Sequence, residues 1–388
     1  MPDAPVIVLV ACEQSGDNYG ALLAEELRRK HPGVKLMGLG GPRMEAAGVE
    51  LIVNMIEHSA TGIIEIAGSV RFFLKAMRDV VKLAKDNNAS AAVLIDSPDF
   101  NLRITPKLKA AGIPIAYYVS PQMWAWRSGR VEKIQRDVER MMVILPFEQA
   151  WYEERNAAAT FVGHPMLDLF DADAKRAAGV GLREELMRDA PTGAKLVGLL
   201  PGSRRNEIKR LLPHFLEAAR VLKEERPDTR FALGCSRWLN PERAAEFLRG
   251  FEDLEVEALH DQSHELMAAS DALLCCSGTA TLEAALIGTP LVMAYRLHWF
   301  SSQIAKLVLD RDGLFCLPNI IMGKRVIPEM VQANTRADKL APALADLLGE
   351  SGDAMRIELA RIPELLGGPG ASARAADVVL EVAALQSQ

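Results

Sequence analysis

The 388-residue sequence has few cysteines to work with. Its five cysteines, Cys12, Cys235, Cys275, Cys276 and Cys316, include no C-x-x-C pair and follow no regular spacing, so neither a disulfide scaffold nor a zinc ribbon is indicated. A reducing cytoplasm fits best. There is no run of about 20 apolar residues, so no transmembrane helix is expected. A basic excess is also missing: the net charge of −6 argues against nucleic acid as a partner. With no H-E-x-x-H, no Cys/His ligand cluster and no G-x-S-x-G elbow, metal hydrolysis and serine hydrolysis lack support, and no metal site is expected. The stretch Pro5–Cys12 ends like a lipoprotein cleavage box in Leu9-Val10-Ala11-Cys12. It is short, however, and Met1-Pro2-Asp3 places no positive charge before it, so a buried first strand is expected instead of a leader.

What is present is the composition of a globular enzyme, with 49% hydrophobic and 25% charged residues. Short β-rich runs alternate with helix-length segments, the pattern of parallel strands joined by crossover helices. Strands are expected at Val6–Ala11, Val34–Gly38, Ala92–Ile95, Ile115–Val119, Met141–Leu145 and Thr160–Val162. A second series is expected at Leu196–Leu200, Arg230–Leu233, Leu254–Leu259, Ala272–Cys275 and Pro290–Tyr295. The charged, alanine-rich stretch Asp168–Thr192 lies at the junction. The expected fold class is therefore α/β, with two doubly wound Rossmann-like domains facing a cleft, over residues 1–168 and 169–365, followed by a C-terminal helix within 366–388. Ligands of such sheets bind outside the carboxyl ends of the strands.

Candidate chemistry gathers at those ends. Strand Leu196–Leu200 runs into Pro201-Gly202-Ser203-Arg204 and then a helix start, which presents free N–H groups and a positive dipole end to a phosphate, with Arg204 as a bidentate donor. Ser277-Gly278-Thr279-Ala280-Thr281-Leu282-Glu283 repeats the design after Ala272–Cys276, and Glu283 is suited to a ribose diol. Glu13-Gln14-Ser15-Gly16-Asp17 follows the first strand where a dinucleotide fold would carry G-x-G-x-x-G; its single glycine argues for a polar turn on a hydroxylated substrate. Ile95-Asp96-Ser97-Pro98-Asp99-Phe100-Asn101 sets two carboxylates at a strand end. Asp96 is the better base and Asp99 has a second reading as a helix cap. Trp124 and Trp126, in the aromatic run Tyr117–Arg127, suit stacking on a sugar or an acyl chain, with a core place equally open to one of them. His164 reads as structural. The stretch with Ile63, Ile64, Arg71, Phe72 and Phe73 is either a basic-flanked helix on an anionic membrane surface or a core-facing crossover helix.

Taken in order, these blocks resemble the lipid-A-disaccharide synthases, inverting glycosyltransferases of the two-domain GT-B type. The matching blocks are Glu13–Asp17, Gly41–Met44, Ile95–Asn101, Tyr118–Pro121 with Trp124–Arg127, Leu145-Pro146-Phe147-Glu148, Gly163–Pro165, Leu200–Arg204, Ser277–Glu283 and Leu317-Pro318-Asn319. They span nearly the whole chain. The resemblance implies transfer of 2,3-diacylglucosamine from UDP-2,3-diacylglucosamine to 2,3-diacylglucosamine 1-phosphate (lipid X), with inversion, release of UDP and no cofactor. It implies Asp96 as base, Glu13 and Asn319 lining the reaction centre, Gly202, Ser203 and Arg204 on the diphosphate, and Ser277, Gly278, Thr279 and Glu283 on the nucleotide. Acceptor, acyl or membrane contacts fall to Ser15, Trp124, Trp126, Ile63, Ile64, Phe72, Phe73 and Arg71. The same resemblance implies a protein held peripherally at the inner face of the cytoplasmic membrane, in which Arg356–Leu385 packs on its own first domain or on a partner in a homodimer. Cys12 and Gln14 depart from the family, which more often has glycine and a small residue there. Another GT-B activity on UDP-GlcNAc-type sugars, such as 2-epimerisation, and a non-catalytic nucleotide-binding protein at the membrane remain the alternatives.

Overall fold

The computed structural model describes residues 4–60, 66–121, 124, 131–296 and 313–385. The chain forms two compact units, Met1–Leu169 with Leu366–Gln388, and Phe170–Leu365.

Unit 1 is built on β1 (Val6–Ala11), β2 (Lys35–Gly40), β3 (Glu50–Asn54), β4 (Ala91–Ile95), β5 (Ile115–Tyr118), β6 (Arg140–Val143) and β7 (Ala159–Phe161). They pair in parallel in the order β3-β2-β1-β4-β5-β6-β7. The central strands read VIVLVA and AAVLI, apolar on both faces, as a sheet covered on both sides requires. Alternate residues divide between two cores. Val8, Val10, Leu94 and Tyr117 face one, with Val80 and Ala84 of the helix Ile66–Asp86 and Leu108 of Pro98–Ala110. Ile7, Leu9, Ile95 and Tyr118 face the other, with Leu23 and Leu27 of the helix Gln14–Lys30 and Val379 of Ala371–Ala384.

Unit 2 carries β8 (Leu196–Leu200), β9 (Arg230–Cys235), β10 (Glu257–His260), β11 (Ala272–Cys276), β12 (Leu291–Tyr295) and β13 (Glu329–Val331). These are also all parallel, in the order β10-β9-β8-β11-β12-β13. In each sheet the strand order reverses once, between β1 and β4 and between β8 and β11. Those reversals open the crevices in which ligands of doubly wound sheets bind.

Several expected boundaries shift, two of them for a visible local reason. The strand expected at Leu254–Leu259 begins only at Glu257, because Glu252–Leu254 form a 3₁₀ turn and Glu255 takes a left-handed backbone at φ 50°. Val119, expected as strand, lies beyond β5 at φ 66°, a conformation that a β-branched residue rarely adopts.

After unit 2 the chain returns to unit 1. The His164 amide donates to the Leu366 carbonyl (3.0 Å), and the Asp168 carboxylate accepts from the amides of Gly370 (2.6 Å) and Ser372 (2.8 Å), opening the last helix. Arg374 donates to the Val162 carbonyl at 2.7 Å, and Lys30 pairs with Asp377 at 2.7 Å. Burial pushes the His164 imidazole down to about 4, so it is neutral, and its Nδ1 accepts from the Met166 amide. No helix among the described residues is long and apolar enough to cross a membrane.

Candidate active site

In unit 1 the register Ala11↔Ile95 sets the exits of β1 and β4 side by side, so Cys12-Glu13 and Asp96-Ser97 meet at the strand reversal. Glu13 is the N-cap of the helix Gln14–Lys30 but makes no side-chain cap bond, and its carboxylate is exposed. Ser15 lies half-buried in the first turn of that helix. Asp17 faces inward: fully buried, it accepts from the amides of Gly41 (2.8 Å), Arg43 (3.1 Å) and Met44 (3.0 Å), which ties the first turn to the start of the helix Pro42–Ala46. A Cβ on Gly41 would come within 2.7 Å of the Asp17 carboxylate, which explains the glycine.

Asp96 and Ser97 are consecutive left-handed residues, at φ 48° and 44°. Such a pair costs free energy and persists only where its surroundings fix it. Here Asn101 Nδ2 donates to the carbonyls of Ile95 (3.1 Å) and Asp96 (2.7 Å), and the Tyr117 hydroxyl donates to the Asp96 carbonyl at 2.6 Å. With its backbone held in this way, the Asp96 carboxylate is pushed up to about 6 by burial and then by the charge of Glu13, against some relief from the Ser97 amide. That value suits a general base at neutral pH. Asp99 is exposed in the first turn of the helix Pro98–Ala110, whose N-cap is Ser97. Burial, Glu13 and Asp96 raise the Cys12 thiol to about 12, which leaves it protonated and inert. A cavity of about 400 Å³ opens here, with Glu13, Ser97, Asp99 and Arg103 at polar positions of its lining.

Beside Asp96, the exit of β5 is secured by a buried carboxylate that the sequence did not single out. Glu148 accepts from Trp124 Nε1 at 3.0 Å and from the amides of Ile144 (3.2 Å) and Leu145 (3.0 Å). Phe147 packs edge-on against Trp124, with ring centroids 5.0 Å apart, and Ser120 shares a hydrogen bond with the Tyr152 hydroxyl. Burial raises Glu148 to about 7. The matching block Leu145–Glu148 carried this signal without its meaning.

In unit 2 the register Leu200↔Cys275 brings the exits of β8 and β11 together. Gly202 stands at φ 110°, and a Cβ there would meet Glu207 Oε2 at 2.7 Å and Cys276 Sγ at 3.2 Å. Glu207 in turn accepts from the Arg204 amide (3.1 Å) and pairs with its guanidinium at 3.3 Å, so the third residue of the helix Arg205–Glu225 reaches back to its N-cap. The Arg204 side chain is 84% exposed, so its donors face outward. Ser203 is exposed, and its carbonyl accepts from Ser236 Oγ at 3.4 Å. Across the reversal, Ser277 is half-buried, while Gly278 and Thr279 are exposed at the start of the helix Thr279–Ile287. Glu283 pairs with His264 Nε2 at 3.0 Å, and His264 packs edge-on against Phe170. Tyr295, at the end of β12, lies near enough to Glu207 and Arg204 to sense both charges, a neighbour that no motif marks.

Other expectations fare differently. Asn319, expected to line the reaction centre, is completely buried. Its amide is spent on the chain: Nδ2 donates to Ile327 O (2.8 Å) and Glu329 (2.9 Å), and Oδ1 accepts from the amides of Val326 and Ile327 (2.9 Å each). With both ends of the amide engaged, Asn319 shapes the segment leading into β13 and offers no free group to a substrate. Arg71 and Phe73 are exposed and Phe72 half-buried on the helix Ile66–Asp86; Phe73 meets Phe72 and Phe100 edge-on at 5.8 and 6.1 Å. Ile63, Ile64 and Trp126 lie outside the described residues.

Comparison with known proteins bears on this geometry. The profile of a family described as lipid-A-disaccharide synthetase matches residues 7–365. The chain is 40% identical over 381 residues to the lipid-A-disaccharide synthase of Trichlorobacter lovleyi, covering 97% of each chain. It is 38% identical over 386 residues to that of Myxococcus xanthus, covering 98% of each. Among solved structures, it resembles the UDP-GlcNAc 2-epimerase of Neisseria meningitidis bound to UDP-GlcNAc, with a TM-score of 0.63, 10% identity and coverage of 97% of this chain and 100% of that one. It also resembles the calicheamicin glycosyltransferase CalG4, with a TM-score of 0.59, 16% identity and coverage of 99% and 100%. These structural likenesses concern the fold, two parallel α/β units of the GT-B type.

Proposed function

The chain belongs to the lipid-A-disaccharide synthase family and is a glycosyltransferase of lipid A synthesis, and from that premise we propose how its residues divide the reaction. Unit 1 takes the acceptor, 2,3-diacylglucosamine 1-phosphate, and unit 2 takes the donor, UDP-2,3-diacylglucosamine. Asp96 accepts the proton of the acceptor's 6-hydroxyl as its oxygen bonds to the donor's anomeric carbon. The bond from that carbon to the β-phosphate oxygen breaks on the opposite face, so the configuration inverts and UDP leaves with the electron pair. The free amides at the start of the helix Arg205–Glu225, with Ser203 and Arg204, receive the diphosphate charge. Ser277, Gly278, Thr279 and Glu283 hold the nucleoside. Glu13 and Ser15 border the acceptor's hydroxyls, and Glu13 also keeps Asp96 basic.

Both substrates carry acyl chains, which supports a peripheral place at the inner face of the cytoplasmic membrane. Arg71, Phe72 and Phe73, on one helix, combine a cation with apolar surface in the way an anionic leaflet attracts.

The observation that carries this reading is the Asp96 carboxylate, fixed by its clasped backbone at the strand reversal and held near 6. Its test is incubation with both lipid substrates and detection of the disaccharide 1-phosphate by mass. Asp96→Asn is expected to lower kcat by about 10²–10⁴ with the fold intact, whereas turnover near that of the unaltered protein would remove Asp96 as the base.

A further inference from the structure

The cavity at the β1–β4 reversal has two unlike ends. Its polar end is formed by Glu13, Ser97, Asp99 and Arg103, next to Asp96; its apolar end by Phe73, Leu74, Met77 and Phe100. The apolar end is graded. Leu74 and Phe73 are 47% and 36% exposed and form a rim, while Met77 and Phe100 are each 5% exposed and form the inner wall. Phe73 and Phe100 meet edge-on and tie the helix Ile66–Asp86 to the helix Pro98–Ala110, so the rim is braced between two elements. Burial also leaves the Ser97 hydroxyl without a partner among the described residues, so a polar group stands unused at the junction of the two ends.

A sugar alone would leave the apolar wall wet, and a simple hydrocarbon would leave the Ser97 hydroxyl stranded. A molecule with hydroxyls at one end and an alkyl chain at the other matches both. A methylene displaces roughly the volume of one water, ~30 Å³, so a cavity of about 400 Å³ takes one chain on the order of ten carbons and not two.

We propose that this cavity is the subsite for one acyl chain of the acceptor, and that Met77 at its inner wall sets the chain length that fits. The inference rests on the acceptor being an acylated glucosamine phosphate, as in the reading above. An unbranched thioether is adaptable filling for a surface that must meet a flexible chain. Each methylene that gains or loses a buried place changes affinity by about fourfold, so a wall displaced by two methylenes changes discrimination by roughly tenfold.

The experiment measures kcat/KM for acceptors carrying acyl chains of graded length, presented in detergent micelles so that no bilayer contributes. In Met77→Trp the indole fills the inner end, and the ratio of kcat/KM for the longest to the shortest chain is expected to fall about tenfold. Met77→Ala lengthens the space and is expected to raise that ratio, so a folding defect in the bulkier variant leaves the opposite shift to be read in the other. Parallel changes at every chain length in both variants would overturn the subsite. So would an unchanged profile accompanied by weaker binding to anionic phospholipid vesicles, which would make this surface a membrane contact only. If the unaltered protein forms disaccharide from no acceptor of any length, the assignment of the acceptor itself falls, and the subsite with it.

Discussion

At the scale of the residue, the proposed reaction depends on keeping one carboxylate basic without losing its charge at neutral pH. Asp96 rises from 3.8 to about 6 because burial disfavours the anion and Glu13 adds a like charge. Only the ionised form takes a proton, so kcat/KM is expected to climb with pH through about 6 and level off above it. Glu13→Gln removes the like charge and moves the limb to lower pH, a shift that a pH–rate profile detects; an unmoved limb would break the link between the two carboxylates. Stability runs the other way. A carboxyl raised on folding penalises the native state once ionised, so the penalty is absent below 3.8, grows across the window and is complete above about 6. At pH 8 it amounts to no more than about 3 kcal/mol. Asp96→Asn is therefore expected to lower kcat by about 10²–10⁴ while unfolding at the same or higher denaturant concentration, which separates a catalytic role from a structural one.

At the scale of the element, the anion turn of unit 2 is shaped by one glycine. Gly202 at φ 110° faces Glu207, whose carboxylate receives the Arg204 amide, so a methyl group must either push Glu207 aside or bend the turn. Gly202→Ala is expected to cost about 1–3 kcal/mol of stability and to weaken UDP binding by at least about tenfold in calorimetry; unaltered affinity would place the diphosphate elsewhere. Elements of this kind were legible in the sequence because they announce themselves locally. A strand of buried apolar residues running into Pro201-Gly202-Ser203-Arg204 or Asp96-Ser97-Pro98 needs only its own spacing to be read. Two of the four edge strands, β3 and β13, were not. Glu50–Asn54 is polar at both ends and half-exposed, and Glu329–Val331 is three residues long, so neither shows the apolar run that marks the centre of a sheet. Glu148 and Asn319 were opaque for a different reason. Nothing in the chain around a carboxylate or an amide says whether it faces substrate or backbone, and both are spent on groups that folding alone brings to them, Glu148 on backbone amides and an indole, Asn319 on a backbone carbonyl and amides.

At the scale of the whole molecule, the C-terminal segment belongs to the core of the unit in which the chain began. Val378, Val379 and Val382 are at most 7% exposed and lie in the same cluster as Leu23 and Leu27 of the first helix. Three buried valines contribute roughly 5–9 kcal/mol on transfer, comparable to the entire stability of an ordinary domain, roughly 5–15 kcal/mol. A chain ending at Leu365 is therefore expected to lose the cooperative unfolding transition of unit 1 while unit 2, complete without the segment, keeps its own and still binds UDP. Ahead of the helix stand Gly367, Gly368 and Gly370, at φ 83°, 63° and 90°, a stretch whose backbone turns where other residues would be strained. The contacts beyond it, from Asp168 to the amides of Gly370 and Ser372 and from Lys30 to Asp377, require only that a copy of the helix be present. A synthetic peptide of residues 366–388 added to the shortened chain is thus expected to restore the lost transition, with calorimetry as the readout. A second copy of the protein can supply the same helix by the same contacts, so restoration by the peptide would make exchange of this segment between subunits energetically open. Two intact transitions in the shortened chain would instead show that the helix is dispensable to unit 1.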